Sequence, residues 1–479
     1  MKNHAGRPIV VVAKTTQKGA GMDAAFVEAW RATCQAVGGT LTQPSCVTFL
    51  QIATGWVLCR SKPTVTNLVR TIGGSLLGHA AKHWTTYERF FYRAEWSLDT
   101  LSELLLRRVV VPLIERHNAE RAGNSIELVL DSTTCGRSGK HVAYAGYYKD
   151  ASVTNVTQPV IHWAHNWMIG AVILRPVYWP RWAISLPVFF ALHRKKPDCD
   201  RDHPFLTMPQ LAVQIIQRVE NVLPDWKIHV VGDGDFANRK VVGGLGEQTS
   251  LVSRIRRDAA LHAPLPKRRP RRRGRPATRG RRLPTPEQMA RRTTGWEIIR
   301  IRKGGQLVRR RVLSSVCLWP HVCRDRLVKV VVVRDPRGEH DDDYFICTDA
   351  TLSSRSVVER YYARWTIEEA IQDAKQHGGL EDVQGWCRQT VQRQAPMALI
   401  VQTMVKAWYI SRGRRAISAQ PRGAKVCGWL RPKDHPSYLD MLATLRRILW
   451  DERINSKSAF RGVLRKTLDA LHFQLCAAA

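Results

Sequence analysis

The sequence predicts an α/β protein with helical flanks, and three observations carry that prediction. Two apolar runs of strand length, 125–131 (SIELVLD) and 226–233 (WKIHVVGD), each end in an aspartate. Strand-like and helix-like patterns alternate between and after them, as they do when helices pack on a sheet. The chain on either side, 21–120 and beyond 351, follows a helical rather than an alternating period.

Residues 1–20 are polar, basic and aperiodic, and read as a loose tail. In the helical stretch that follows, one run ends near Cys59-Arg60 and another starts after Pro63, with Thr64 or Thr66 as N-cap. Two short helices joined by a tight turn make a helix-turn-helix arrangement; a helical packing unit with no groove contact is the plain alternative. The first strand then ends at Asp131, a position where the edge of a sheet opens and sites collect. A turn-initiating aspartate is the competing reading there. Strands are expected over 159–174 and 182–193, a helix over 207–223, the second aspartate-bearing strand over 226–233, a short helix over 238–243 and a strand over 249–256. The order is strand with Asp, two strands, helix, strand with Asp, helix.

Between 267 and 282 ten of sixteen residues are Lys or Arg, with prolines interspersed. Such a run cannot bury an apolar face. It reads as an extended strap for phosphate backbones, with Arg271, Arg272 and Arg273 at its centre. Four β patterns follow, at 297–302, 307–318, 327–334 and 343–348. Helical patterns cover 361–375, 389–411, 438–453 and 458–473, with a basic patch at 412–425.

Lys and Arg total 75 against 40 acidic residues, a net charge of +35. That balance calls for a polyanionic partner, nucleic acid by default. An anionic membrane surface would call for a long basic amphipathic stretch, which is not present. The 11 cysteines contain no C-x2-C pair, so a zinc ribbon or thioredoxin-type site is excluded, and their scatter suits a reducing compartment. The N-terminal apolar run, 9–13, is too short for a signal peptide, and no stretch approaches the roughly 20 apolar residues of a membrane span. A soluble, intracellular protein is expected.

The residues 361–375, YYARWTIEEAIQDAK, contain no Gly or Pro and read as one helix. At about 100° per residue, Tyr361, Arg364, Glu368 and Lys375 fall within roughly 60° of arc. An aromatic hydroxyl, a guanidinium, a carboxylate and an ammonium would share one face. The pattern Y-x2-R-x3-E-x6-K, with Trp365 after the arginine, Asp373 and Gln376 around the lysine and Gly378-Gly379 beyond, resembles the signature helix of bacterial insertion-sequence DDE transposases of the cut-and-paste group. Residues 83–91 (HWTTYERFF) also resemble an N-terminal segment of that family.

The resemblance implies a ribonuclease-H-like catalytic core interrupted by a β-rich insertion, with a helical N-terminal DNA-binding region and a helical C-terminal region. The expected division is a tail at 1–20, a DNA-binding domain at 21–120, the first part of the core at 121–255, the basic loop and β insertion at 256–350, the second part of the core at 351–415, and a helical region at 416–479. The family pattern of Asp, Gly, any residue, then Tyr or Phe falls on Asp233 to Phe236, which selects Asp233 over Asp235. Asp131, Asp233 and Glu368 would then be the catalytic and metal-binding carboxylates. They would hold two Mg²⁺ (Mn²⁺ as a substitute), because in-line phosphodiester chemistry is served by paired divalent ions and Mg²⁺ favours carboxylate oxygens. Tyr361, Arg364 and Lys375 would contact the phosphates of DNA ends, and a tryptophan of the insertion, Trp319 or Trp296, would stack on a base. The implied partners are double-stranded DNA, both transposon terminal inverted repeats and target, and a second copy of the chain as a homodimer on DNA. The implied location is the bacterial cytoplasm, at the nucleoid. A non-catalytic DNA-binding derivative and a same-fold nuclease without strand transfer are the alternatives.

Other motifs are set aside. Asp198, Asp200 and Asp202 have the first spacing of a calcium loop, but Pro209 stands where its bidentate Glu belongs. The glycines at 136 and 139 are too close for a phosphate-binding loop. His162 and His165 lie in a strand-like run and point to opposite faces. Asp341 to Asp343 read as a charged turn.

Overall fold

The computed structural model describes residues 18–118, 123–149, 159–265, 279–417 and 435–455. The strap residues Arg271, Arg272 and Arg273, residues 1–17 of the expected tail and the 458–473 pattern lie outside the described residues, and the tail's last three residues already belong to a helix.

The chain begins with helices. α1 (Lys18–Val37) leads to α2 (Gln43–Leu58), whose residues from Thr48 onward are all buried. α2 stops where Cys59 turns extended, and α3 (Val65–Ile72) starts after Thr64, whose hydroxyl accepts from Asn67 N at 3.3 Å. Thr64, not Thr66, is therefore the cap. A short hairpin, β1 (Ser75–Leu76) and β2 (His79–Ala80), precedes α4 (Trp84–Tyr92) and α5 (Leu98–Leu104), which runs through a π turn into α6 (Val111–His117).

The sheet follows. β3 (Ser125–Gly136), β4 (Gly146–Lys149), β5 (Ile161–Leu174) and β6 (Ile184–His193) are joined antiparallel on β5. After α7 (Met208–Val222), β7 (Lys227–Val231) pairs parallel with β3. After α8 (Arg239–Gly243), β8 (Thr249–Arg254) pairs parallel with β7. Then come α9 (Pro286–Ala290), β9 (Glu297–Lys303), β10 (Gln306–Leu318), α10 (Pro320–Cys323), β11 (Leu327–Arg334) and β12 (Asp343–Cys347). These four strands form an antiparallel meander, and β12 pairs with β8 at Phe345↔Arg254, Ile346↔Ser253 and Cys347↔Val252. Strands β9–β12 thus continue the sheet to ten strands. Without them β8, buried along most of its length, would be an open edge.

α11 (Ser354–Ala363) and α12 (Trp365–Gln376) return across the sheet, α13 (Arg388–Trp408) and α15 (Tyr438–Asn455) pack with the N-terminal helices, and the short α14 (Arg414–Ile417) follows α13. The single helix expected over 361–375 is in fact two. It breaks at Arg364, where the Thr366 hydroxyl donates to Ala363 O at 2.8 Å and the Arg364 N–H reaches only back to Tyr361 O. Trp408 Nε1 donates to Phe26 O, Arg446 Nε to Val57 O and Trp56 Nε1 to Gly378 O, so both ends of the chain lock onto the same body. Most buried apolar residues of the N-terminal helices, of α7, α12, α13 and α15 and of β3, β5, β6 and β7 form one cluster running from Phe26 to Leu449, while α9, α10 and α11 pack in two smaller ones. No described helix is long and apolar enough to cross a membrane.

Candidate active site

Asp131 does not end its strand, as the sequence suggested. β3 continues to Gly136, held by β5 alone. The parallel pairing with β7 stops at Val129↔Val231. Asp131 and Asp233 each lie two residues beyond that last pair, so the two carboxylates flank the point where the sheet opens. Asp131 Oδ1 accepts from Ser132 N at 2.8 Å. Asp233 caps a short 3₁₀ turn, its Oδ1 accepting from Asp235 N at 3.0 Å, while its carbonyl accepts from the Ser253 hydroxyl. That turn folds the Phe236 ring back onto Gly232, where an added Cβ would sit 2.6 Å from the ring. Only glycine allows the approach. Asp235 is exposed, whereas Asp233 is half-buried.

Glu368 lies in the first turn of α12. Arg364, at the helix break, places one nitrogen 2.7 Å from Glu368 Oε1 and another 4.0 Å from Asp131 Oδ2. One guanidinium therefore links a carboxylate of the helix to one of the sheet. Tyr361 is buried with its ring 4.3 Å from that of Phe345, and the guanidinium carbons of Arg254 and Arg364 each lie 5.8 Å from its centroid. Lys375 donates to Thr134 O at 2.7 Å and pairs with Glu381 at 3.0 Å. Despite the break, Tyr361, Arg364, Glu368 and Lys375 all reach toward β3 and its neighbours.

Burial pushes the Asp131 carboxyl up to about 6, and the charges of Glu368 and Asp233 push the same way against Ser132 N–H and Arg364. Burial also raises Asp233, with Asp235 adding to it and the Asp235 N–H opposing. Both shifts record chiefly the loss of water on burial, with neighbouring negative charge adding to it. Three carboxylates from three elements are the donor chemistry that suits a hard divalent cation. Among the described residues, no three His, Cys, Asp or Glu side chains are grouped closely enough to hold an ion. The nearest opposing charge to Glu368 and Asp131 is Arg364. The donors fit a divalent ion in kind, and Asp131, Asp233 and Glu368 are the residues that would hold it.

A cavity of about 750 Å³ opens beside Asp233 and Tyr361, lined among others by Arg175, Arg181, Trp182, Arg254, Lys303 and Trp365. None of these six was singled out from the sequence as a site residue. Trp365, 58 % exposed beside Arg364, had a signal in its adjacency to the motif. Arg254 and Lys303 had none, because they meet the site only through the β8–β12 pairing and the tip of the β9–β10 hairpin.

Trp319 is 5 % exposed and packs in an apolar cluster with Leu261, Val322 and Val328, which favours a packing role over base stacking; its edge borders a cavity beside Asp235 and Arg254. Trp296 donates to Arg292 O, and the Arg334 guanidinium sits 4.6 Å over its ring. His165 accepts from Arg137 Nε at 2.9 Å and contacts Ala143 O through its other nitrogen. Burial first, then Arg137, pushes its pKa down to about 4, a structural histidine. Asp342 and Asp343 pair with Arg334 and Arg254, each at 2.6 Å.

No curated protein matches this chain. A family model described as DDE superfamily endonuclease matches residues 41–307, a span that includes Asp131 and Asp233 and ends before Glu368. That match covers more than half of the 479 residues, and the chain belongs to the DDE superfamily endonucleases.

Proposed function

We propose that this protein is a DNA transposase of the insertion-sequence type, cutting phosphodiester bonds at transposon ends and joining the freed ends to target DNA. The observation that carries the reading is that Arg364 links Glu368 of α12 to Asp131, while Asp131 and Asp233 each lie two residues beyond the last pair of β3 and β7. The strand order β6-β5-β3-β7-β8, with β7 and β8 parallel to β3, is the arrangement expected of a ribonuclease-H-like core.

Two divalent ions bound by these carboxylates would supply positive charge to the attacking and leaving oxygens. The chain's own residues do the rest. Asp131 and Asp233, fixed by their N–H contacts, present oxygens from a rigid sheet. Glu368 arrives from α12 and is held in place by Arg364. Arg364 is suited to bidentate phosphate contact and Lys375 to a point contact. In this reading Arg364 exchanges its carboxylate partners for a DNA phosphate when the complex forms. Double-stranded DNA with terminal inverted repeats is the proposed substrate, and a homodimer the proposed assembly on it.

The test is a donor plasmid carrying the element's ends, incubated with target plasmid in Mg²⁺, Mn²⁺ or EDTA. End cleavage that needs a divalent ion, with joined product, is the expected result. Glu368→Gln should lower cleavage at least a hundredfold while DNA binding persists. Cleavage without joined product would make the protein a nuclease, and DNA binding without cleavage in any metal would make it a binding derivative.

A further inference from the structure

β3 runs past Asp131 to Gly136 with Ser132 and Gly136 exposed, and pairs there with β5 alone. From Asp131 to Gly136 it extends roughly 16 Å at about 3.3 Å per residue. On its neighbours β5 and β4, Tyr147 is paired with Trp163 and Lys149 with Ile161. Alternation puts these four side chains on one face. Tyr147 is 69 % exposed and Ile161 61 % exposed. The Tyr147 and Trp163 rings meet edge to face at 5.1 Å.

The loop that follows β3 is tied beneath that face. Arg137 N donates to Trp163 O, and Trp163 Nε1 donates to Gly139 O. Ala143 N donates to Trp386 O, which brings a third large ring, 67 % exposed, to the same loop. Lys140, Lys149 and Arg388 are exposed around these rings. The surface connects to the candidate site through Lys375, whose ammonium sits on Thr134 O.

We infer that the face of Tyr147 and Trp163, with Trp386, is a platform for unpaired DNA bases leading away from the cut. The inference rests on the proposed DNA-cleaving function. Base pairs inside a duplex have both faces covered by their neighbours, so exposed aromatic rings gain little from duplex. Unpaired bases offer free faces, and stacking on aromatic side chains among cations is how single strands are held without sequence readout. The cations and the net charge of +35 fit the strand's phosphates. A second copy of the chain, itself strongly basic, is a poorer match for the same surface.

The test uses the full chain with a fluorescein-labelled oligothymidylate and a duplex of equal length, read by anisotropy. Tyr147→Ala and Trp386→Ala should each weaken oligothymidylate binding roughly tenfold and leave duplex affinity within about twofold, with unchanged melting temperatures. Trp386→Phe should restore most of the loss. Equal weakening of both DNAs, or of neither, overturns the platform. So does a variant whose sedimentation shifts to a smaller species while oligothymidylate binding is unchanged, since the face would then seat a second copy. Wild-type chain that prefers the oligothymidylate through these rings but never cleaves DNA would sink the transposase reading and leave the platform standing.

Discussion

Asp131 illustrates how one side chain reports on its surroundings. Its carboxyl titrates near 6 in the folded chain against 3.8 in an open one, chiefly because burial strips it of water. Between those values folding takes up a proton, so stability falls as pH rises through the window, by roughly 3 kcal/mol in total. Asp131→Asn, which cannot ionise, should therefore melt higher than the parent at pH 7 without metal, and match it near pH 4. Equal melting at both values would show that the carboxylate is not strained by burial. Gly232 makes a second case. Gly232→Ala puts a methyl 2.6 Å from the Phe236 ring, so the 3₁₀ turn carrying Asp233 must shift. We expect lower stability and at least tenfold slower cleavage, the two losses appearing together; a variant cutting at full rate would mean the turn relaxes without moving Asp233.

At the scale of the element, α12 is held from behind by charge. Lys406 of α13 is 4 % exposed, donates to Ser185 O at 3.2 Å, and is the nearest compensating charge for Glu369 and Asp373. Burial raises both carboxyls and Lys406 counteracts it. Lys406→Met should accordingly lower the urea midpoint at pH 7, and the deficit should shrink toward pH 5 as the two acids take up protons. A deficit independent of pH would point to lost packing instead. The break at Arg364 belongs to this scale as well. Helix propensity favoured a continuous 361–375 helix, but Thr366 takes the Ala363 carbonyl while Arg364 reaches Glu368 and Asp131. A side-chain hydrogen bond inside the segment, together with the pull of Asp131 on Arg364, outweighed its helix propensity at that one residue.

Across the whole molecule, one sheet joins the aspartate-bearing strands to the insertion, and one apolar cluster joins both ends of the chain to that sheet. A net charge of +35 on such a body predicts binding to duplex DNA that is steeply dependent on salt. If about six phosphates are neutralised, affinity should fall on the order of a thousandfold between 50 and 200 mM salt. Anisotropy titrations across that range check this, and a flat response would mean the basic residues are spent on internal pairs.

By itself the sequence determined the α/β class, the strand carrying Asp131 and the strand leading to Asp233, the helical character of the segment carrying Glu368, a capping threonine at 64 or 66, and a resemblance to DDE enzymes that the match to the DDE superfamily endonuclease model bears out. These rest on period, capping and short motifs, which are local and survive in a string of letters. Only the tertiary structure decided that β3 outruns Asp131, that the insertion continues the sheet through β8 and β12, and that Trp319 is core. It alone brought Arg254, Lys303 and Trp182 to the cavity beside Asp233. Each of those outcomes depends on which distant segment supplies the next strand or covers the next ring. That choice is set by packing and edge pairing between residues tens or hundreds of positions apart, where no spacing rule reaches.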